Sequence, residues 1–129
     1  LPDREEAFRL NTDARMFYYQ SLCYRWLDTF GKPPQVPDWP DVIPEPTVDE
    51  LKGMVDIGMV AVGDADDCAG VMQKYMDAGA DQVVISPMTT TLPFDVTMES
   101  CRLFGEKVIP KFDTDPTFRS DRNRMKKVR

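Results

Sequence analysis

Hydrophobic positions recur with a helical period from the start of the chain. Ala7, Leu10, Ala14, Phe17 and Leu22 trace one apolar stripe, and Tyr19, Cys23, Trp26 and Phe30 trace a second. The pattern predicts one long helix over residues 4–30, ended by Gly31. From Met16 onward this helix is apolar nearly all round and needs cover on more than one side. Residues 32–46 then hold six of the eleven prolines, at positions 33, 34, 37, 40, 44 and 46. That density excludes regular helix and central strand. Val36, Trp39, Val42 and Ile43 are short apolar anchors that would lay the segment on a surface, as a structural crossing or as a lid over a pocket.

Beyond the prolines the signals sharpen. Thr47 and Glu50 form a capping box opening a short helix to about Asp56, closed by Gly58. Residues 59–62 (Met-Val-Ala-Val) are apolar without alternation, the pattern of a strand buried on both faces. Asp64 is a good N-cap for a helix over 65–78, with Asp66 and Asp67 at its positive end. Its buried face would be Cys68, Val71, Met72, Tyr75 and Met76. Gly79 stops it, and residues 82–86 (Gln-Val-Val-Ile-Ser) read as a second buried strand. A polar loop over 87–93 leads to a helix over 94–109, with Met98, Cys101, Phe104 and Val108 inward and Pro110 limiting it.

The order helix, helix, strand, helix, strand, helix contains a right-handed βαβ unit, so the expected fold class is α/β. Two short parallel strands do not make a stable sheet by themselves. Something must complete it: further chain, another copy, or a partner.

Size and composition narrow this further. The chain has 129 residues, enough for one compact domain, and 42% of them are apolar, enough for a core. It opens on Leu1 and not on Met, so the expectation is a processed or trimmed chain; no charged-apolar-small leader opens it and no membrane-length apolar run is visible. Net charge is −6, but residues 119–129 carry six basic groups against Asp121, a local +5. The remaining 118 residues hold 10 basic and 21 acidic groups, net −11, which argues against nucleic acid as the main partner. The expected division is a body over 1–118 and a basic tail over 119–129. The odd cysteines Cys23, Cys68 and Cys101 are neither a disulfide framework nor a zinc spacing, and they suit a reducing, cytoplasmic setting. There is no histidine, which removes His-dependent triads, His-ligated zinc and histidine acid–base work.

Three segments in order resemble the end of the bacterial-luciferase-like family. They are Gly58-Met-Val-Ala-Val-Gly-Asp64, Tyr75-Met-Asp-Ala-Gly-Ala-Asp-Gln-Val-Val-Ile-Ser86 and Glu99-Ser-Cys-Arg-Leu-Phe-Gly-Glu-Lys-Val-Ile-Pro110. The resemblance covers residues 47–113 well, with Ala65 where the family often has proline. It implies the C-terminal part of a (β/α)8 TIM barrel, with 59–62 and 82–86 as its last two strands. It implies a luciferase-like flavin-dependent monooxygenase acting on a small organic substrate, with reduced flavin (FMN) or alternatively the deazaflavin F420 as cofactor. The rest of the barrel or another subunit would complete the site, in a homo-oligomer without nucleic acid or membrane partners.

Active groups of such barrels gather at the C-terminal ends of strands. That rule picks Gly63 and Asp64 after the first strand and residues 86–91 after the second. Gly63, Ser86, Thr89 and Thr90 are the expected cofactor-binding positions; no catalytic residue is assigned. The hydroxyls of Ser86, Thr89, Thr90 and Thr91 suit a phosphate, a ribityl chain or a polar substrate, or else ordinary turn and cap chemistry. Asp64, Asp66 and Asp67 read as a helix cap and not a metal site, because Cys68 and Tyr75 stand where a calcium loop needs its fifth and twelfth ligands. Arg102 and Lys107 either reach an anion or form a solvated face. The eight methionines, Cys68 and Cys101 read as core filler. Neither a dinucleotide fingerprint nor a P-loop is present. A different class of function also fits: a non-catalytic oligomerising module, assembled through the aromatic part of the first helix and the unpaired strand edges.

Overall fold

Asn11, Thr12 and Asp13 decide how the molecule begins. Asn11 donates its side-chain amide to the Ala7 carbonyl (2.8 Å) and Thr12 its hydroxyl to the Arg9 carbonyl (2.8 Å). Residues of this kind compete with the helical backbone. The helix α1 (Arg4–Thr12) stops there, Arg15 takes a left-handed conformation (φ 50°), and α2 (Met16–Trp26) starts afresh. The single helix expected over 4–30 is therefore two helices. The second ends at Trp26 and not at Gly31.

The computed structural model describes residues 1–27, 31–87 and 91–114. The expected basic tail over 119–129, Phe30, Thr89 and Thr90 lie outside the described residues. After α2, residues 31–46 run without helix or strand, as the prolines require. The segment is pinned to α2 by Ser21, which donates to the Phe17 carbonyl (2.8 Å) and accepts from the Ile43 amide (2.9 Å). Trp39 leans on Tyr18, ring centres 6.5 Å apart. Lys32 closes the near end on the Val36 carbonyl and Asp38.

The capped helices form where their caps dictate. In α3 (Val48–Asp56) Thr47 and Glu50 complete both halves of the capping box. In α4 (Ala65–Asp77) Asp64 accepts from the amides of Asp66 and Asp67, and Asp67 accepts in return from the Asp64 amide. The last helical stretch is α5 (Phe94–Leu103), a π-helical turn over Phe104–Val108, then α6 (Ile109–Phe112). Pro110 does not end the helix. It has no amide to donate and its ring crowds the carbonyl four residues back, so the wider turn before it lets the rod continue.

Helix accounts for 56% of the described residues, and no strand occurs among them. This overturns the expected α/β class and the expected C-terminal part of a TIM barrel. Residues 59–62 and 82–86 are connections without a ladder between them. The physical reason is the one that limits any isolated pair of strands: with both outer edges and one face uncovered, pairing gains too little to hold. Val83, Val84 and Ile85 are accordingly exposed.

The core is small and lies under α1. Phe8, Leu51, Val55, Val62, Val71, Met72 and Val108 are buried together. α1 packs on α3, and α4 packs on α3 and on the π-helical turn. Arg4 and Lys52 sit over the Phe8 ring at 5.0 and 5.4 Å, and Lys52 also pairs with Glu5. Met98 and Cys101, expected inward, are exposed, and so are Tyr75, Met59 and Met76. The methionines are therefore only partly core filler.

Candidate functional site

Beside this core lies an open cleft of about 680 Å³. One side is residues 59–62 with Gly63 and Asp64; another is residues 83–87. The floor comes from α4, through Cys68, Val71, Met72 and Tyr75. The opposite wall is the α5 stripe continued through the π turn: Thr97, Ser100, Cys101, Phe104, Lys107 and Val108. These positions recur at three- and four-residue spacing because one face of a helix must present them. None of the described residues 31–46 lines the cleft, so the proline-rich segment is a crossing over α2 and not a lid.

Two of the four expected cofactor positions, Gly63 and Ser86, meet on this cleft although 23 positions separate them. Gly63 is buried with φ 128°, and a side chain there would overlap the Asp67 carboxylate. Only glycine permits this close turn into α4. Ser86 is exposed at the rim. Thr91, beyond it, donates its hydroxyl to the Asp13 carbonyl (2.5 Å), tying this loop to the break between α1 and α2. That is turn chemistry, not ligand binding.

The acidic group at the start of α4 is fully engaged. Asp64 caps the helix, Asp67 also takes a two-pronged bond from Arg4 (2.8 and 3.2 Å), and Asp66 pairs with Lys111 (2.8 Å). Lys111 holds the Asp66 carboxyl below its ordinary range. The bond to Asp67 raises the Arg4 guanidinium further. No group of three or more side chains suited to a metal ion occurs among the described residues.

Arg102 and Lys107 part company. Arg102 bonds both Glu99 (2.6 Å) and Glu106 (2.6 Å), which lowers the Glu99 carboxyl and raises the arginine. It belongs to a solvated charge network. Lys107 lies on the cleft wall instead. Sequence reasoning missed Tyr75 as a cleft residue; its hydroxyl donates to the Gly58 carbonyl (3.0 Å) and holds α4 against the turn after α3. The available signal was its helical register with Cys68 and Met72, which instead was read as burial. No helix among the described residues is long and apolar enough to cross a membrane.

No protein-family model, curated protein or solved structure matches this chain.

Proposed function

We propose that this chain contributes one wall of the ligand cleft of a flavin-dependent oxidoreductase of the luciferase-like monooxygenase type, acting on a small organic substrate. The observation that carries the proposal is the cleft, which joins Gly63 and Ser86, from two of the three family-like segments, across a mainly apolar floor. Its volume of about 680 Å³ lies within the range of cofactor and substrate pockets.

The residues present suit one part of a flavin better than another. A flat ring system fits against Val71, Met72 and Phe104, which would exclude water from it. Gly63 is closed by Asp67 and by the Leu1 amino group, which donates to its carbonyl, and shapes the cleft edge, while the Ser86 hydroxyl is free to bond a ribityl or substrate hydroxyl. The start of α4 does not suit the phosphate, since its own carboxylates occupy the amides an anion would need. When bound, reduced flavin supplies the electrons for oxygen activation, and a deazaflavin supplies hydride instead.

Titration of FMN and deazaflavin with the full chain, followed by cofactor fluorescence, tests this. Saturable quenching is expected for one of them, weakened about fivefold by Ser86→Ala with circular dichroism unchanged, the loss of one neutral hydrogen bond. Unquenched fluorescence with both cofactors overturns the proposal.

A second reading, a non-catalytic oligomerising module, is favoured by a different observation. Trp26, Ile57, Val84 and Phe94 are 70%, 75%, 81% and 79% exposed, large apolar side chains that a second copy would cover. Self-association without cofactor binding would select it.

A further inference from the structure

We infer that the cleft is built for an anion with an apolar body, and that Lys107 is the residue that selects it. The inference rests on the cleft being a ligand site and not on the ligand being a flavin.

Along the last helical rod Cys101, Phe104 and Val108 occupy the stripe that faces the cleft, and Lys107 stands in the same stripe. Helical periodicity gives such a place to an apolar side chain. On the same rod Arg102 is bonded to Glu99 and Glu106, and Lys111 to Asp66. Glutamates thus satisfy the arginine, while Lys107 makes no ion pair among the described residues. It is the one cationic side chain among the residues lining the cleft; the Leu1 amino group, also on the lining, donates to the Gly63 carbonyl (3.0 Å).

The two carboxylates on the cleft have other partners. Asp64 is spent on the α4 amides and Asp66 on Lys111. A lysine on an apolar wall, in no ion pair among the described residues, favours a ligand that brings an acidic group and buries a hydrocarbon or aromatic body. The acid is a carboxylate, sulfonate or phosphate. It comes either from a substrate or from the phosphate of a flavin nucleotide.

Two pairs of probes test this on the full chain. The dye 1-anilinonaphthalene-8-sulfonate is compared with N-phenyl-1-naphthylamine, the same ring system without the acid, and FMN is compared with riboflavin. The acidic dye is expected to bind more tightly than the neutral one. Lys107→Met should weaken the acidic dye about tenfold, leave the neutral dye unchanged, and be rescued by Lys107→Arg. Lys107 is exposed, so neither variant disturbs the core. A matching loss for FMN but not riboflavin identifies the cofactor's phosphate as the acid; a loss confined to the dye identifies a substrate acid. If the dyes behave as expected and neither flavin binds, the flavin proposal falls and this one stands. Equal binding of both dyes, an unchanged acidic dye in Lys107→Met, or no binding of either dye overturns it.

Discussion

The three cysteines sit in different surroundings, and the difference is measurable. Cys23 and Cys101 are exposed, while Cys68 is half-buried on the cleft floor behind the cap of α4. Burial pushes the Cys68 thiol up, the carboxylates of Asp67 and Asp64 push it the same way, and the chain's amino terminus opposes them. A folded pKa above the unfolded one means the protonated thiol favours the fold. That contribution is complete below the ordinary thiol value and is lost as pH rises through the higher folded value. Alkylation by iodoacetamide, followed by peptide mass spectrometry at pH 7.5, should label Cys23 and Cys101 first and Cys68 roughly tenfold more slowly. The Cys68 rate should go on rising as pH passes the ordinary thiol value, because its folded pKa is raised. Labelling of all three at one rate in the folded chain would contradict this placement. The sequence marked Cys68 as a small core residue near a helix start, which is half of the picture. Its exposure to the cleft depends on α5, 30 positions away, and no local pattern carries that.

At the scale of elements, the parts legible in the sequence are those whose cause is local. The capping boxes at Thr47 and Asp64 set the starts of α3 and α4 because cap and capped amides lie within one turn. The break between α1 and α2 had a local cause too, in Asn11, Thr12 and Asp13, but the continuous apolar stripe hid it. Arg15 occupies the strained place in that break, exposed and left-handed at φ 50°. An L side chain there costs about 1–2 kcal/mol, which glycine avoids, although glycine also gains freedom in the unfolded chain. Arg15→Gly should therefore raise stability by up to about 1 kcal/mol. Arg15→Val should lower it by at least as much, because a β-branched residue fits this region worst. Urea unfolding followed by circular dichroism reads both midpoints. A fall in the midpoint with glycine would mean that the arginine side chain, and not its backbone, holds the break.

The whole molecule shows why the two predicted strands did not form and what the chain needs. An apolar run such as 59–62 or 82–86 was legible, but whether it becomes a strand depends on neighbours to which it can bond, and that is not a property of the run itself. Without them Val84 lies 81% exposed beside the cleft, and Phe94 79%. A second copy can cover these side chains, because apolar area removed from water contributes about 25 cal/mol per Å². Sedimentation velocity of the isolated chain should show reversible, concentration-dependent association at micromolar levels. Val84→Lys should shift it toward monomer with helix content unchanged, since this side chain touches solvent more than protein. Association that persists in Val84→Lys would move the contact to the exposed end of α2, at Trp26 and Leu27. A wild-type chain that stays monomeric and cooperatively folded over the whole concentration range would remove the oligomerising reading and leave the cleft as the only use of this surface.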